Sequence, residues 1–159
     1  METHMILLWL LLGIFMIGVI IWSYAKRKEI DNKIESLAAG AEELTPEEFF
    51  KLRNYSFGGR GTPKYALSKN FSGVYIIYNH TKDMYYVGQA QKILDRVNNH
   101  FTGRGNGDIY ADYKYGDRFT IKMISLENSG YSNLNDLERD TIRKYNSFSM
   151  GYNKTRGNR

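Results

Sequence analysis

An uninterrupted apolar run from Met5 to Trp22 constrains this chain more than any other feature. Eighteen residues without a charged side chain reach roughly 27 Å as a helix, close to the hydrocarbon thickness of a bilayer. No polar face interrupts the run, so a core helix with one side in water does not fit. A cleaved signal peptide would carry positive charge ahead of the run. Glu2 and His4 stand there instead, and Ser23-Tyr24-Ala25 is only a loose match to a cleavage site. Residues 1–25 therefore read as a single transmembrane anchor that meets lipid through residues 5–24, with Trp22 and Tyr24 at interfacial depth. Lys26-Arg27-Lys28 follows at once and no cation precedes the run. The positive-inside bias then assigns a single-pass membrane protein with its bulk in the cytoplasm.

Residues 26–67 read as a helical stalk and linker. Ile30, Ile34 and Leu37 recur at helical spacing between charged residues from Glu29 to Ala41. Thr45-Pro46-Glu47-Glu48 is a capping box with proline at the first helical position, which predicts a short helix from Pro46 to about Asn54. Ser56-Phe57-Gly58-Gly59-Arg60-Gly61-Thr62-Pro63 reads as a flexible connector.

Residues 68–159 hold the basic surplus, 14 Lys and Arg against 9 Asp and Glu, whereas residues 1–67 balance 8 against 8. A polyanionic partner is the simplest use for that excess. The chain has no cysteine, which excludes disulfides, thiolate metal sites and cysteine nucleophiles. Phe71 to Tyr78 and Met84 to Gly88 carry strand composition around the turn Asn79–Asp83, predicting an antiparallel hairpin. A helix is expected from Gln91 or Lys92 to Thr102, then a loop over Asn106–Gly116 and a third strand over Arg118–Leu126. A last helix buries Leu134, Leu137, Thr141, Ile142 and Tyr145. This order predicts an α/β (α+β) fold, a small three-stranded antiparallel sheet flanked by helices.

Several polar residues sit oddly in these elements. Arg96 and His100 are four apart on one helix, so they share a face and can approach one phosphate. Glu138 falls inside an apolar stripe, where a carboxylate is expensive unless it is paired or bound to a cation. Tyr75 and Tyr86 on the hairpin would each, alone, read as strand aromatics. Gly73-Val74-Tyr75, Tyr86-Val87-Gly88, Arg96, His100, Glu138 and Asn153 occur in this order over some eighty residues. In that order they resemble the GIY-YIG nuclease family, with Val74 and Val87 as β-branched replacements in the two tripeptides.

The resemblance implies a phosphodiester hydrolase that acts on DNA, with RNA left open, and yields 5′-phosphate and 3′-hydroxyl ends. Glu138 would hold one Mg²⁺ or Mn²⁺, and Arg96 would bind the scissile phosphate. Tyr75 would serve as general base with Tyr86 in support, and His100 would either accept the tyrosine's proton or orient it. Asn153 would hold a neighbouring loop or orient the phosphate environment. The function expected is a membrane-anchored, metal-dependent endonuclease acting on incoming foreign DNA. The alternatives are an anchored nucleic-acid-binding module without catalysis, or a homing-type nuclease. The latter would need a DNA-reading region that the few residues after Asn153 do not supply.

Overall fold

Gly73–Asn79 is β-branched and aromatic at nearly every position, a composition that fits a strand covered on both faces. The computed structural model, which describes residues 2–54 and 70–157, places it at the interior of an antiparallel sheet. The described strands are β1 (Glu43–Leu44), β2 (Gly73–Asn79), β3 (Met84–Ala90) and β4 (Phe119–Ser125), in spatial order β1-β4-β2-β3. The described helices are α1 (Glu2–Gly40), α2 (Pro46–Asn54), α3 (Ile93–Phe101), α4 (Gly107–Lys114) and α5 (Leu134–Lys144).

The chain falls into two compact units, Met1–Lys33 and Ile34–Arg159. In the first, α1 is exposed from Met5 through Trp22, and it is long and apolar enough to cross a membrane by length and composition. In the second, the remainder of α1 packs into the core through Ile34 and Ala38. The capping box forms as expected. Glu48 accepts from the Thr45 amide at 2.8 Å, and its own amide donates to Thr45 Oγ1 at 3.3 Å, opening α2 at Pro46. The Ser56–Pro63 connector lies outside the described residues.

The sheet has four strands, not three. Its extra member, β1, is only two residues long, too short to leave an alternating pattern in the sequence. It aligns Glu43 with Lys122 and Leu44 with Ile121, and a 3.1 Å ion pair from Lys122 to Glu43 supports it. Asn106–Gly116 also departs from expectation, forming the helix α4 rather than a loop. Its N-cap is Asn106, whose Oδ1 accepts from Asp108 N at 2.9 Å and Ile109 N at 3.3 Å. Ile109 alone of that helix is fully buried, which is why no apolar period announced it.

Strand pairing assigns the two faces of the sheet. The hairpin aligns Tyr75 with Gly88 and Ile77 with Tyr86, and β4 adds Met123 and Ile121 opposite the same β2 residues. This face packs against α3 through Ile93, Leu94, Val97 and Phe101, and against Phe49 of α2. On the other face Val74, Ile76, Val87 and Ile124 meet Leu134, Leu137 and Ile142 of α5. Helices α3 and α5 thus lie on opposite sides of one sheet, and β3, at its edge, is shared by both.

Candidate active site

The start of α3 is held by the segment that leads into β2. Asn70 Oδ1 accepts from Leu94 N at 2.9 Å, and Ile93 N donates to Phe71 O at 3.1 Å. These bonds satisfy amides that a helix N-terminus leaves unpaired. They also fix the rotation of α3, so that His100 is buried one turn beyond Arg96.

His100 is fully buried, at 0% exposure, and both ring nitrogens are occupied. The Asn106 amide donates to Nδ1 at 2.9 Å, so that nitrogen carries the lone pair. Burial, and then the nearby Arg96 charge, push the His100 pKa down to about 4. The neutral ring therefore bears its proton on Nε2, which lies 2.8 Å from Tyr75 Oη and donates to it. An imidazolium would place an Nδ1 proton against the Asn106 N–H. The neutral ring therefore meets the phenol as a donor, its lone pair turned to the Asn106 amide.

Tyr75 is 1% exposed and is paired across the hairpin with Gly88. A side chain at position 88 would put its Cβ 2.3 Å from Tyr75 Oη. The glycine of the second tripeptide is therefore the room that the tyrosine of the first occupies. Burial pushes the Tyr75 phenol well above its ordinary pKa, and the neighbouring Tyr86 adds to this, while Arg96 opposes it. Tyr86 is also raised by burial, with the Tyr75 hydroxyl and Arg96 pulling it back. The two rings stand 6.1 Å apart between centroids, and both lie close to His100. Their titrations belong to the pair rather than to either phenol.

Asn153 borders the cleft and spends both ends of its side-chain amide on β3. Its Oδ1 accepts from Val87 N at 2.8 Å and its Nδ2 donates to Val87 O at 2.7 Å. The amide thus supplies the outer edge of β3 with the pair of bonds that another strand would have given. Tyr152 N extends this pairing to Tyr85 O at 2.9 Å. The clamp falls between Tyr86 and Gly88, so it sets where both stand. Asn153→Ala is expected to cost about 1–3 kcal/mol and to speed hydrogen exchange of the Val87 amide, read by mass spectrometry.

Glu138 reaches the same cleft from α5 on the other face of the sheet, at 7% exposure. Gln89 Nε2 donates to its Oε2 at 3.0 Å and to Asn135 Oδ1 at 2.8 Å. The cleft, about 430 Å³, is lined by Tyr75, Tyr86, Arg96, His100, Glu138 and Asn153, with Lys154 also in its wall. All six residues singled out in the sequence are therefore brought together. Gln89, Asn135 and Asn106 were missed. Asn106 had a faint signal as a helix N-cap, whereas nothing near Gln89 or Asn135 marks them as partners of a residue so far along the chain.

Among the described residues no three His, Asp or Glu side chains converge as a ready-made metal cage. What the cleft offers is one nearly buried carboxylate that accepts a hydrogen bond from the uncharged Gln89 amide. That donor set fits Mg²⁺, which dehydrates reluctantly and keeps several waters beside one or two carboxylates.

The geometry of His100 carries a pH dependence of stability. Its folded pKa, about 4, lies below the unfolded value near 6.5. Between those values the unfolded chain binds the extra proton, so the His100 contribution is complete above pH 6.5 and is lost as pH falls towards 4. The change is about 3 kcal/mol. Melts followed by near-ultraviolet circular dichroism should show this slope in the wild type and a flatter one in His100→Gln.

A family model described as the GIY-YIG catalytic domain matches residues 71–153, from the segment before β2 to the asparagine that clamps β3. No curated protein and no solved structure matches the chain.

Proposed function

The chain belongs to the GIY-YIG family of endonucleases, and from that premise we propose that it is a membrane-anchored, Mg²⁺- or Mn²⁺-dependent DNA endonuclease. The observation that carries the reading is the meeting of two phenols, one guanidinium, a neutral imidazole and a nearly buried carboxylate in one cleft. Nucleases of this family generally use divalent metal ions. Glu138 is the residue that would hold one here, and when bound it supplies charge neutralisation at the scissile phosphate and the departing 3′ oxygen.

The chain's own residues supply the rest. Arg96, whose planar fork matches phosphate oxygens, binds the scissile group and lowers the cost of an ionised phenol beside it. Tyr75 is the general base. His100 Nε2–H donates to its oxygen, leaving the phenol's own proton to be directed into the cleft. An ionised Tyr75, its proton released through the open cleft to solvent, would keep that donor and gain the Arg96 charge, an arrangement suited to drawing a proton from water. Tyr86, alongside, shares the charge and orients the attacking water.

We place the anchor in α1, because its apolar run is exposed over its whole length and ends in Lys26-Arg27-Lys28. The nuclease part is then cytoplasmic. A tethered nuclease meets DNA that crosses the envelope, so degradation of incoming foreign DNA is the role this location favours. The test is incubation of the detergent-solubilised full chain with supercoiled plasmid. Nicked or linear product with Mg²⁺ and none with EDTA is expected. Binding without cleavage, or cleavage that survives chelation, would overturn the reading.

A further inference from the structure

The phenols and the carboxylate of this cleft come from opposite faces of the sheet. Tyr75 and Tyr86 lie on the face covered by α3, while Glu138 rides on α5, which packs against the other face. Their separation therefore depends on how α5 is seated against the edge strand β3. Apolar contacts through Leu134, Leu137 and Val87 hold the helix to the sheet, but the hydrophobic effect behind them is non-directional and aims no polar group. A directional tie is needed at the cleft itself.

Gln89 is in the right place to provide one. It follows Gly88 on β3 and pairs with Val74, so its side chain emerges on the α5 face immediately beside the Tyr75–Gly88 pair. The two hydrogens of its amide nitrogen are divided between Glu138 Oε2 and Asn135 Oδ1, residues three apart on α5. Both partners are oxygen acceptors, which determines the amide's orientation. Turned over, its carbonyl would face a carboxylate and a second carbonyl. The donor is also neutral. A lysine or arginine would orient Glu138 equally well but would cancel the charge that attracts a cation.

Resting on the nuclease reading above, we propose that Gln89, held by Asn135, is a positioning residue. It fixes the Glu138 carboxylate in register with the phenols across β3 and thereby sets the affinity for the divalent cation. Both of its donors are spent on α5 and none on substrate. Groups that orient a metal ligand in this way typically change affinity about 10- to 100-fold when removed.

The experiment titrates the detergent-solubilised full chain with Mn²⁺ alone, reading free Mn²⁺ by electron paramagnetic resonance, for wild type and Gln89→Leu. A loss of affinity of about tenfold or more is expected in the variant. The Mn²⁺ concentration giving half-maximal plasmid cleavage should rise in parallel, and saturating Mn²⁺ should restore turnover. Gln89→Met, close in length and lacking donors, is measured alongside and stands in if leucine fails to fold. Affinity within about twofold of wild type, or turnover that saturating Mn²⁺ does not restore, would overturn the proposal. Absence of Mn²⁺ binding by the wild type would instead sink the assignment of Glu138 as the ligand, and this inference with it.

Discussion

Glu138→Gln is expected to lower plasmid cleavage by at least about 10³-fold while leaving the fold intact. Glutamine matches the carboxylate in volume and can still accept from Gln89 through its carbonyl, so the nearly buried position stays filled and hydrogen-bonded. What disappears is the negative charge. A bound cation contributes several kcal/mol of transition-state stabilisation, and each 1.36 kcal/mol corresponds to a factor of about ten in rate. Single-turnover rates on a nicked-plasmid assay measure the effect, and unchanged melting shows that it is chemical. A variant within about tenfold of wild type would mean that the cleft does not work through this carboxylate.

Tyr75→Phe carries the second large effect. Losing a positioned acid–base group costs about 10²- to 10⁴-fold, and the loss should fall on kcat, since Arg96, the proposed phosphate ligand, still lines the cleft. The substitution has a structural signature as well. His100 Nε2–H would lose its acceptor at a fully buried position, a cost of about 1–3 kcal/mol. Tyr86→Phe leaves that bond intact, so its rate loss should come with little change in stability. If Tyr86→Phe reduces kcat more than Tyr75→Phe does, the base and its support have to be exchanged.

The parts of this molecule that could be read from sequence are those built on local periods. The hairpin was legible because β2 and β3 are strand-rich and joined by a short polar turn, and α2 because the Thr45–Glu48 box announces its start. Glu138 stood out because a carboxylate inside an apolar stripe has few innocent explanations. The unreadable parts depend on chain segments far apart in sequence. β1 exists only because β4 offers an open edge, and two residues leave no pattern. α4 has one buried residue, so its helical character is carried by the Asn106 cap and not by amphipathicity. Asn106 also locks the His100 tautomer, through a backbone amide that side-chain patterns do not report. The work of Asn153 became clear only from Val87, and that of Gln89 only from α5, because each joins elements whose docking no local pattern encodes. For the same reason the choice between the two roles weighed for His100 required the second ring nitrogen's partner.

The proposed chemistry requires the carboxylate of α5 and the phenols of the hairpin to meet across β3 and hold a cation beside a phosphate. Crystals of the protein soaked in Mn²⁺ test it most directly through anomalous scattering. A peak against the Glu138 carboxylate, in the cleft that Tyr75, Tyr86 and Arg96 line, is the predicted result. Manganese bound elsewhere, with that carboxylate bare at saturating concentration, would contradict it.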